Sequence, residues 1–297
     1  MQRLLAFLDN KKIQYERSVS LKGISTFKIG GIADLICYPS DTEQVSEIVK
    51  FCNKNDLNYL TFGKCSNVVF SDAGIKSLII KTDKIDVIKK DCDCFEFGAG
   101  VMLAKASKYT IDCGYKGMEF SYGIPGSVGG AVYMNAGAYG GEMSDCVFRT
   151  EYVDDSGVVC YLEKEDHDFF PRHSFFSDKK FIITRTWIRL EEGNTIESMK
   201  LVDEFQTARK TKQPLEFPSA GSVFKRPQGY FAGKLIQDCN LKGVSVGGAM
   251  VSEKHSGFII NYNNATFYDV RNLVDLIKKE VKNKFDVDLE CEIKFIE

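Results

Sequence analysis

The residues whose types and spacing best suit chemistry lie at positions 123–141, GIPGSVGGAVYMNAGAYGG. Seven of these nineteen residues are glycine: Gly123, Gly126, Gly129, Gly130, Gly137, Gly140 and Gly141. Glycine inside a helix or strand costs roughly 0.5–1 kcal/mol relative to alanine, so the run predicts no regular helix. The apolar residues inside it, Ala131, Val132, Tyr133, Met134 and Ala136, do not belong to a polar flexible linker. Removing side chains lets backbone N–H groups approach a ligand, and consecutive N–H groups form anion-binding nests. A second such stretch, GKCSN at 63–67, follows an apolar strand pattern. Two nests suit a ligand with two phosphates. Close packing of backbone on backbone would explain an isolated glycine pair. The length of this segment, with Ser127 and Asn135 set among its glycines, favours a ligand.

Other glycine patterns fail on inspection. FGAGVML at 97–103 has Leu103 where a dinucleotide fingerprint needs its third glycine. GYFAGKL at 229–235 is one residue short of a phosphate loop and ends in Leu235 instead of a magnesium-binding Ser or Thr. The sequence has no GxSxG elbow and no HExxH, and His167, His173 and His255 have no metal spacing. The 297 residues are 44% hydrophobic and 27% charged, with a formal net charge of −2. No basic block supports a nucleic-acid or anionic-membrane partner. The apolar run Leu4 to Leu8 is too short for a signal peptide or a membrane span, so a cytoplasmic protein is expected. The ten cysteines are scattered without a CxxC, which predicts reduced thiols, mostly buried, and no metal.

These loops must be held by regular elements. Val45, Ile48, Val49 and Cys52 predict one apolar helix face over 41–54, capped by Ser40 or Asp41. Strands are predicted at 57–62, 77–81, 94–100 and 181–190, and a hairpin at 149–162 around DDSG. Helices are predicted at 103–114, ending at Gly114, and at 195–210. The strongest helix is 267–285, with Val270, Leu273, Val274, Ile277 and Val281 on one face and Thr266 with Asp269 as a capping pair. LECEIKFI at 289–296 alternates as a strand with one buried face. The mixture is an α+β fold without a regular βαβ repeat, and EEGN at 191–194 marks a domain boundary.

A family resemblance adds to this reading. TFKIGG (26–31), GKCSN (63–67), GIPGSVGGAVYMNAGAYGGEM (123–143), RHSFF (172–176), SAGSVFKRP (219–227), AGKLI (232–236), GGAMVSEKHSGFIIN (247–261) and LECEI (289–293) follow one another in this order. They resemble the motifs of the UDP-N-acetylenolpyruvoylglucosamine reductases, and the resemblance covers nearly the whole chain. It implies an FAD-binding region of two subdomains over 1–192, split near 82, and a C-terminal α+β substrate-binding domain over 193–297. The length is similar to the family's shorter form, which lacks an inserted Tyr-bearing loop. The implied reaction is NADPH-dependent, FAD-mediated reduction of UDP-N-acetylglucosamine enolpyruvate to UDP-N-acetylmuramate.

The resemblance also implies site residues. Arg172, Ser222 and Glu292 match the catalytic positions: a guanidinium on the substrate carboxylate, a proton donor, and a hydrogen-bonding carboxyl beside the substrate carboxylate that helps stabilise the enolate-like intermediate. Noncovalent FAD is expected against Gly63, Lys64, Cys65, Ser66 and Asn67. In the long segment it is expected against Gly123, Ile124, Pro125, Gly126, Ser127, Gly129, Gly130, Ala131, Asn135, Gly137, Ala138 and Gly140. Lys212, Arg226 and His255 match substrate-binding positions. Lys64 and Cys65 stand where the family has glycines, Pro171 where it has Tyr, and Arg226 where it has Asn. Strand alternation puts Glu290 and Glu292 on one face, so periodicity alone does not choose between them. Two alternatives stay open at this point: an FAD-dependent oxidase of the same superfamily, and a catalytically inactive nucleotide-binding relative.

Overall fold

The computed structural model describes residues 1–297. The chain packs as two compact units that interleave along the sequence. One comprises Met1–Arg17, Leu35–Lys64 and Ser77–Thr207; the other comprises Ser18–Asp34, Cys65–Lys76 and Ala208–Glu297. The division by packing therefore runs through the helix Thr195–Lys212, whereas the sequence reading divides the chain at 192/193.

The first unit has two apolar cores. In one, Val45, Ile48, Val49 and Cys52 from the helix Thr42–Lys54 pack on Leu35, Cys37, Leu78 and Ile80. Asp41 caps that helix by accepting from the Gln44 N–H at 2.8 Å. The strands Ile32–Tyr38 and Tyr59–Phe62 both run parallel to Leu78–Lys81. The other core lies under a five-stranded sheet with the order Val159–Glu163, Val147–Val153, Ile182–Arg189, Cys94–Gly98, Ile88–Asp91. Phe95, Phe97, Val147 and Ile188 pack there against Leu103 and Ala106 of the helix Leu103–Asp112 and against Val128 and Val132.

Val128 and Val132 belong to a short helix, Val128–Tyr133, inside the glycine-rich segment. This corrects the expectation that the glycines exclude helix there. Propensity is a weak prior that packing overrides. A Cβ on Gly129 would lie 2.7 Å from the Ala99 Cβ, so glycine is what lets this helix sit directly on the strand end.

The second unit is built on an antiparallel sheet with the order Ser219–Ser222, Phe258–Asn261, Ala249–Val251, Ser245–Val246. The helix Phe267–Phe285 covers it with Val270, Leu273, Val274, Ile277 and Val281, all buried. Thr266 and Asp269 form the reciprocal capping box. Phe27 and Ile29 join this core, which is why TFKIGG packs with the C-terminal residues. The expected strand over 289–296 is split between two neighbours. Cys291 bridges Phe224, the chain bends at Ile293, and only Lys294–Ile296 pairs as a strand, parallel to Val68–Phe70.

Candidate functional site

In the first unit, the glycines of 123–141 serve two different purposes. A Cβ on Gly129, Gly137 or Gly141 would come within 2.7 Å of Ala99, Glu142 or Phe120 respectively, so these three permit packing within the protein. Gly130 is exposed on its helix, and a Cβ there would meet only the Ser127 Oγ at 3.6 Å. A Cβ on Gly140 would meet nothing within 4 Å. These two leave open space where a ligand can reach the backbone.

The Ser127 hydroxyl is buried (1% exposed) and makes no hydrogen bond within the protein. A buried hydroxyl without a partner is costly, so an orphan of this kind implies a missing partner. A Cβ on Gly63 would stand 2.4 Å from that same Oγ, which places the two glycine-rich loops against each other here. Lys81, almost fully buried, donates from Nζ to the Gly63 carbonyl. Asp83 sits 3.3 Å from Lys81 Nζ and 3.1 Å from Lys64 Nζ, so two ammonium groups share one carboxylate beside the loop. Glycine backbone, an orphan hydroxyl and the nearby Lys64 ammonium fit the diphosphate of a flavin dinucleotide.

Arg172 stands in a tight turn. The His173 N–H donates to the Phe170 carbonyl at 3.0 Å, and Arg172 has φ +60°. With Pro171 at the preceding position this is the pattern of a type II turn, whose third residue is usually glycine. A side chain held in that region is strained, and such strain concentrates at functional sites. Arg172 donates from Nη2 to the Gly137 carbonyl at 2.9 Å and from Nη1 to the Asn135 carbonyl at 3.5 Å. Pro171, where the family has Tyr, thus fixes the turn that presents the arginine.

Gly137 opens a hairpin in which Gly141 pairs with Ala138 and Glu142 with Gly137. Tyr139 and Gly140 at its tip both have positive φ, +54° and +90°, as a two-residue type I′ turn requires. The Tyr139 ring stacks on Phe205 with centroids 4.4 Å apart.

The second unit brings Ser222 and Glu292 together. Ser219 pairs with Ile260 and Ser222 with Phe258, so the Ser219–Ser222 strand carries one extra residue. Gly221, at φ +80°, absorbs the bulge. Bulges re-aim the following side chain, and they recur beside active sites. On the other edge, the Glu292 N–H donates to the Val223 carbonyl at 2.8 Å and the Lys225 N–H to the Glu290 carbonyl at 2.9 Å. Asn67 donates from Nδ2 to the Glu292 carbonyl at 3.1 Å, and its own carbonyl accepts from Lys294 at 3.0 Å. The two glutamates differ in setting. Glu290 is exposed and pairs with Lys225, while Glu292 is half-buried.

The three residues matched to substrate binding also lie in this unit. Lys212 is exposed at the end of the helix Thr195–Lys212. Arg226 stacks over Phe231, 3.9 Å from the ring centre, and its Nε donates to the Tyr230 carbonyl at 3.3 Å. The His255 Nδ1 accepts from the Gly257 N–H at 3.1 Å, which leaves the ring proton on Nε2. Burial holds its pKa below the ordinary 6.5, so the ring is neutral at pH 7.

The Asn67–Glu292 bond and the approach of Gly63 to Ser127 were not legible in sequence, because the members of each pair are distant along the chain. Thr26 is similar: its Oγ1 donates to the Ser219 carbonyl at 2.8 Å, which ties TFKIGG to the strand of Ser222.

Comparison with known proteins follows these same regions. A family model described as the UDP-N-acetylenolpyruvoylglucosamine reductase C-terminal domain matches residues 213–296, and an FAD binding domain model matches residues 33–162. A UDP-N-acetylenolpyruvoylglucosamine reductase of Caldicellulosiruptor bescii is 44% identical over 98% of this chain and 93% of its own length. One from Clostridium perfringens is 43% identical over 91% of this chain and 89% of its own. The crystal structure of UDP-N-acetylenolpyruvylglucosamine reductase (MurB) from Thermus caldophilus superposes with a TM-score of 0.81 at 32% identity. It covers 96% of this chain and 100% of that one.

Proposed function

We propose how three side chains divide the chemistry of one reaction, from the premise that this chain belongs to the UDP-N-acetylenolpyruvoylglucosamine reductase family. The activity is NADPH-dependent, FAD-mediated reduction of UDP-N-acetylglucosamine enolpyruvate to UDP-N-acetylmuramate, a step in making bacterial peptidoglycan precursors. Bound FAD supplies the hydride relay between NADPH and the vinyl ether.

The chain supplies the rest. Ser222 gives its hydroxyl proton to one vinyl carbon while the other takes the hydride, so the double bond becomes single and the lactyl ether forms. Arg172 forks onto the substrate carboxylate and draws charge from the double bond. Its guanidinium is oriented for this by the Gly137 and Asn135 carbonyls. Glu292 offers a hydrogen-bonding carboxyl beside the substrate carboxylate, which helps stabilise the enolate-like intermediate. Lys212, Arg226 and His255 hold the remainder of the nucleotide sugar, His255 as an Nε2–H donor. Ser127 and the loops at 63–67 and 123–141 hold the FAD diphosphate, with Lys64 adding charge in place of a glycine.

The observation that carries this reading is the bulge at Gly221, which sets Ser222 next to the Val223–Glu292 pairing. The functional division is an FAD-binding region over 1–192 and a substrate-binding domain over 193–297; the two family models match inside these ranges. No helix is long and apolar enough to cross a membrane. NADPH as the reductant supports a cytoplasmic reaction, and the reading involves neither nucleic acid nor membrane insertion.

The test is to mix purified protein with NADPH and the enolpyruvyl nucleotide and follow the nicotinamide absorbance. Consumption of NADPH that depends on the nucleotide supports the reading. No nucleotide-dependent consumption, together with flavin that stays with the acid-precipitated protein, favours an oxidase.

A further inference from the structure

Asn135 is among the residues that the family resemblance assigns to the cofactor, yet its side chain has another occupation. It is fully buried and left-handed, with φ +40°. Its Oδ1 accepts from the Ser144 N–H at 3.0 Å, and its Nδ2 donates to the Phe170 carbonyl at 3.2 Å. One partner is a pure donor and the other a pure acceptor, so the amide orientation is fixed.

Both ends of this linkage concern Arg172. The Phe170 carbonyl that Asn135 grips also closes the turn around Arg172 by accepting from His173. The Asn135 carbonyl itself lies opposite Arg172 Nη1 at 3.5 Å, beside the Gly137 carbonyl that takes Nη2 at 2.9 Å. One residue therefore holds the turn that carries the arginine and part of the platform on which the guanidinium rests.

We propose that Asn135 is a positioning residue for Arg172, acting in the substrate half of the reaction and not as a flavin ligand. The inference rests on the reading of Arg172 as a catalytic residue. Holding a reacting group in place is worth much of its effect; a displacement of about 1 Å can cost about 100-fold in rate. Asn135→Asp keeps the acceptor for Ser144 and turns the donor to Phe170 into an acceptor, so the two oxygens repel.

The test uses the holoenzyme and stopped-flow kinetics of each half-reaction. Asn135→Asp should retain flavin and be reduced by NADPH at the normal rate. Its reoxidation by the enolpyruvyl nucleotide should slow by about 10- to 100-fold, within the range expected for a displaced catalytic group. Amide hydrogen exchange over residues 170–175 should quicken. In an Arg172→Ala background, adding Asn135→Asp should slow reoxidation no further. Loss of flavin, additive slowing in the double variant, or unchanged exchange over 170–175 would overturn the proposal. If Arg172→Ala alone left reoxidation normal, the catalytic reading of Arg172 would fail instead, and exchange would still report whether Asn135 holds the turn. Should Asn135→Asp not fold, Asn135→Gly deletes both side-chain bonds, to Ser144 and to Phe170, while suiting the left-handed backbone, and it is judged by the same outcomes.

Discussion

The Glu292 N–H donates to the Val223 carbonyl at 2.8 Å, which seats Glu292 beside the residue that follows Ser222. Glu290, two residues earlier, faces solvent and pairs with Lys225. Strand alternation gave the two carboxyls one environment; both flank the Phe224–Cys291 bridge, but Glu290 lies at its exposed end beside Lys225 and Glu292 at its half-buried end, where Asn67 donates to its carbonyl.

Their substitutions should therefore differ sharply. Glu290→Gln removes an exposed ion pair, worth about 0–1 kcal/mol, and should leave both half-reactions normal. Glu292→Gln should slow substrate reduction by orders of magnitude while flavin content and melting temperature hold. Steady-state turnover and thermal melts of the two variants check this. Equal, mild effects would remove Glu292 from the mechanism.

The glycines of 123–141 offer a second contrast. Gly129→Ala drives a Cβ to 2.7 Å from Ala99. Overpacking of that kind costs about 1–3 kcal/mol, so the apoprotein should melt lower. Gly130→Ala points into open space and should stabilise the apoprotein by about 0.5–1 kcal/mol through helix propensity. Gly130→Val should nevertheless purify with little flavin, because its branches occupy the cofactor's place. Melting of the apo forms and flavin absorbance after desalting separate the two effects. Full flavin content in Gly130→Val would move the cofactor elsewhere.

Much of the fold was legible because it is local. Val45, Ile48 and Val49, or Thr266 with Asp269, announce their helices within a few residues. What was not legible depends on distant neighbours. Nothing near Gly129 in sequence reveals Ala99, and nothing near TFKIGG places Phe27 and Ile29 in the core of the C-terminal residues. Among the site residues, Ser222, Arg172 and Glu292 came from family resemblance. The bulge at Gly221 and the turn at Pro171 supply the physical reasons those positions suit their roles.

Acid sensitivity follows from His167. It is fully buried, its Nε2 lies 2.8 Å from the Thr150 Oγ1, and its Nδ1 lies 2.8 Å from the Glu163 carbonyl. Burial lowers its pKa below the ordinary 6.5. The unfolded chain then binds a proton that the folded chain refuses, so stability is full above about pH 6.5 and falls as the pH drops below it. The loss levels off once the pH passes below the folded-state pKa. Urea unfolding across this range should show the decline. Thr150→Val leaves the imidazole without that partner and should weaken the protein even at neutral pH. A stability that rises on acidification would contradict the assignment.

The central claim is that Ser222 delivers the proton to the reduced substrate. Single-turnover stopped-flow of Ser222→Ala tests it most directly, following flavin absorbance first with NADPH alone and then with the enolpyruvyl nucleotide. The account predicts normal flavin reduction and a reoxidation slowed by about 10²- to 10⁴-fold, the usual worth of a positioned general acid. Unchanged reoxidation, or equal slowing of both half-reactions, would contradict it.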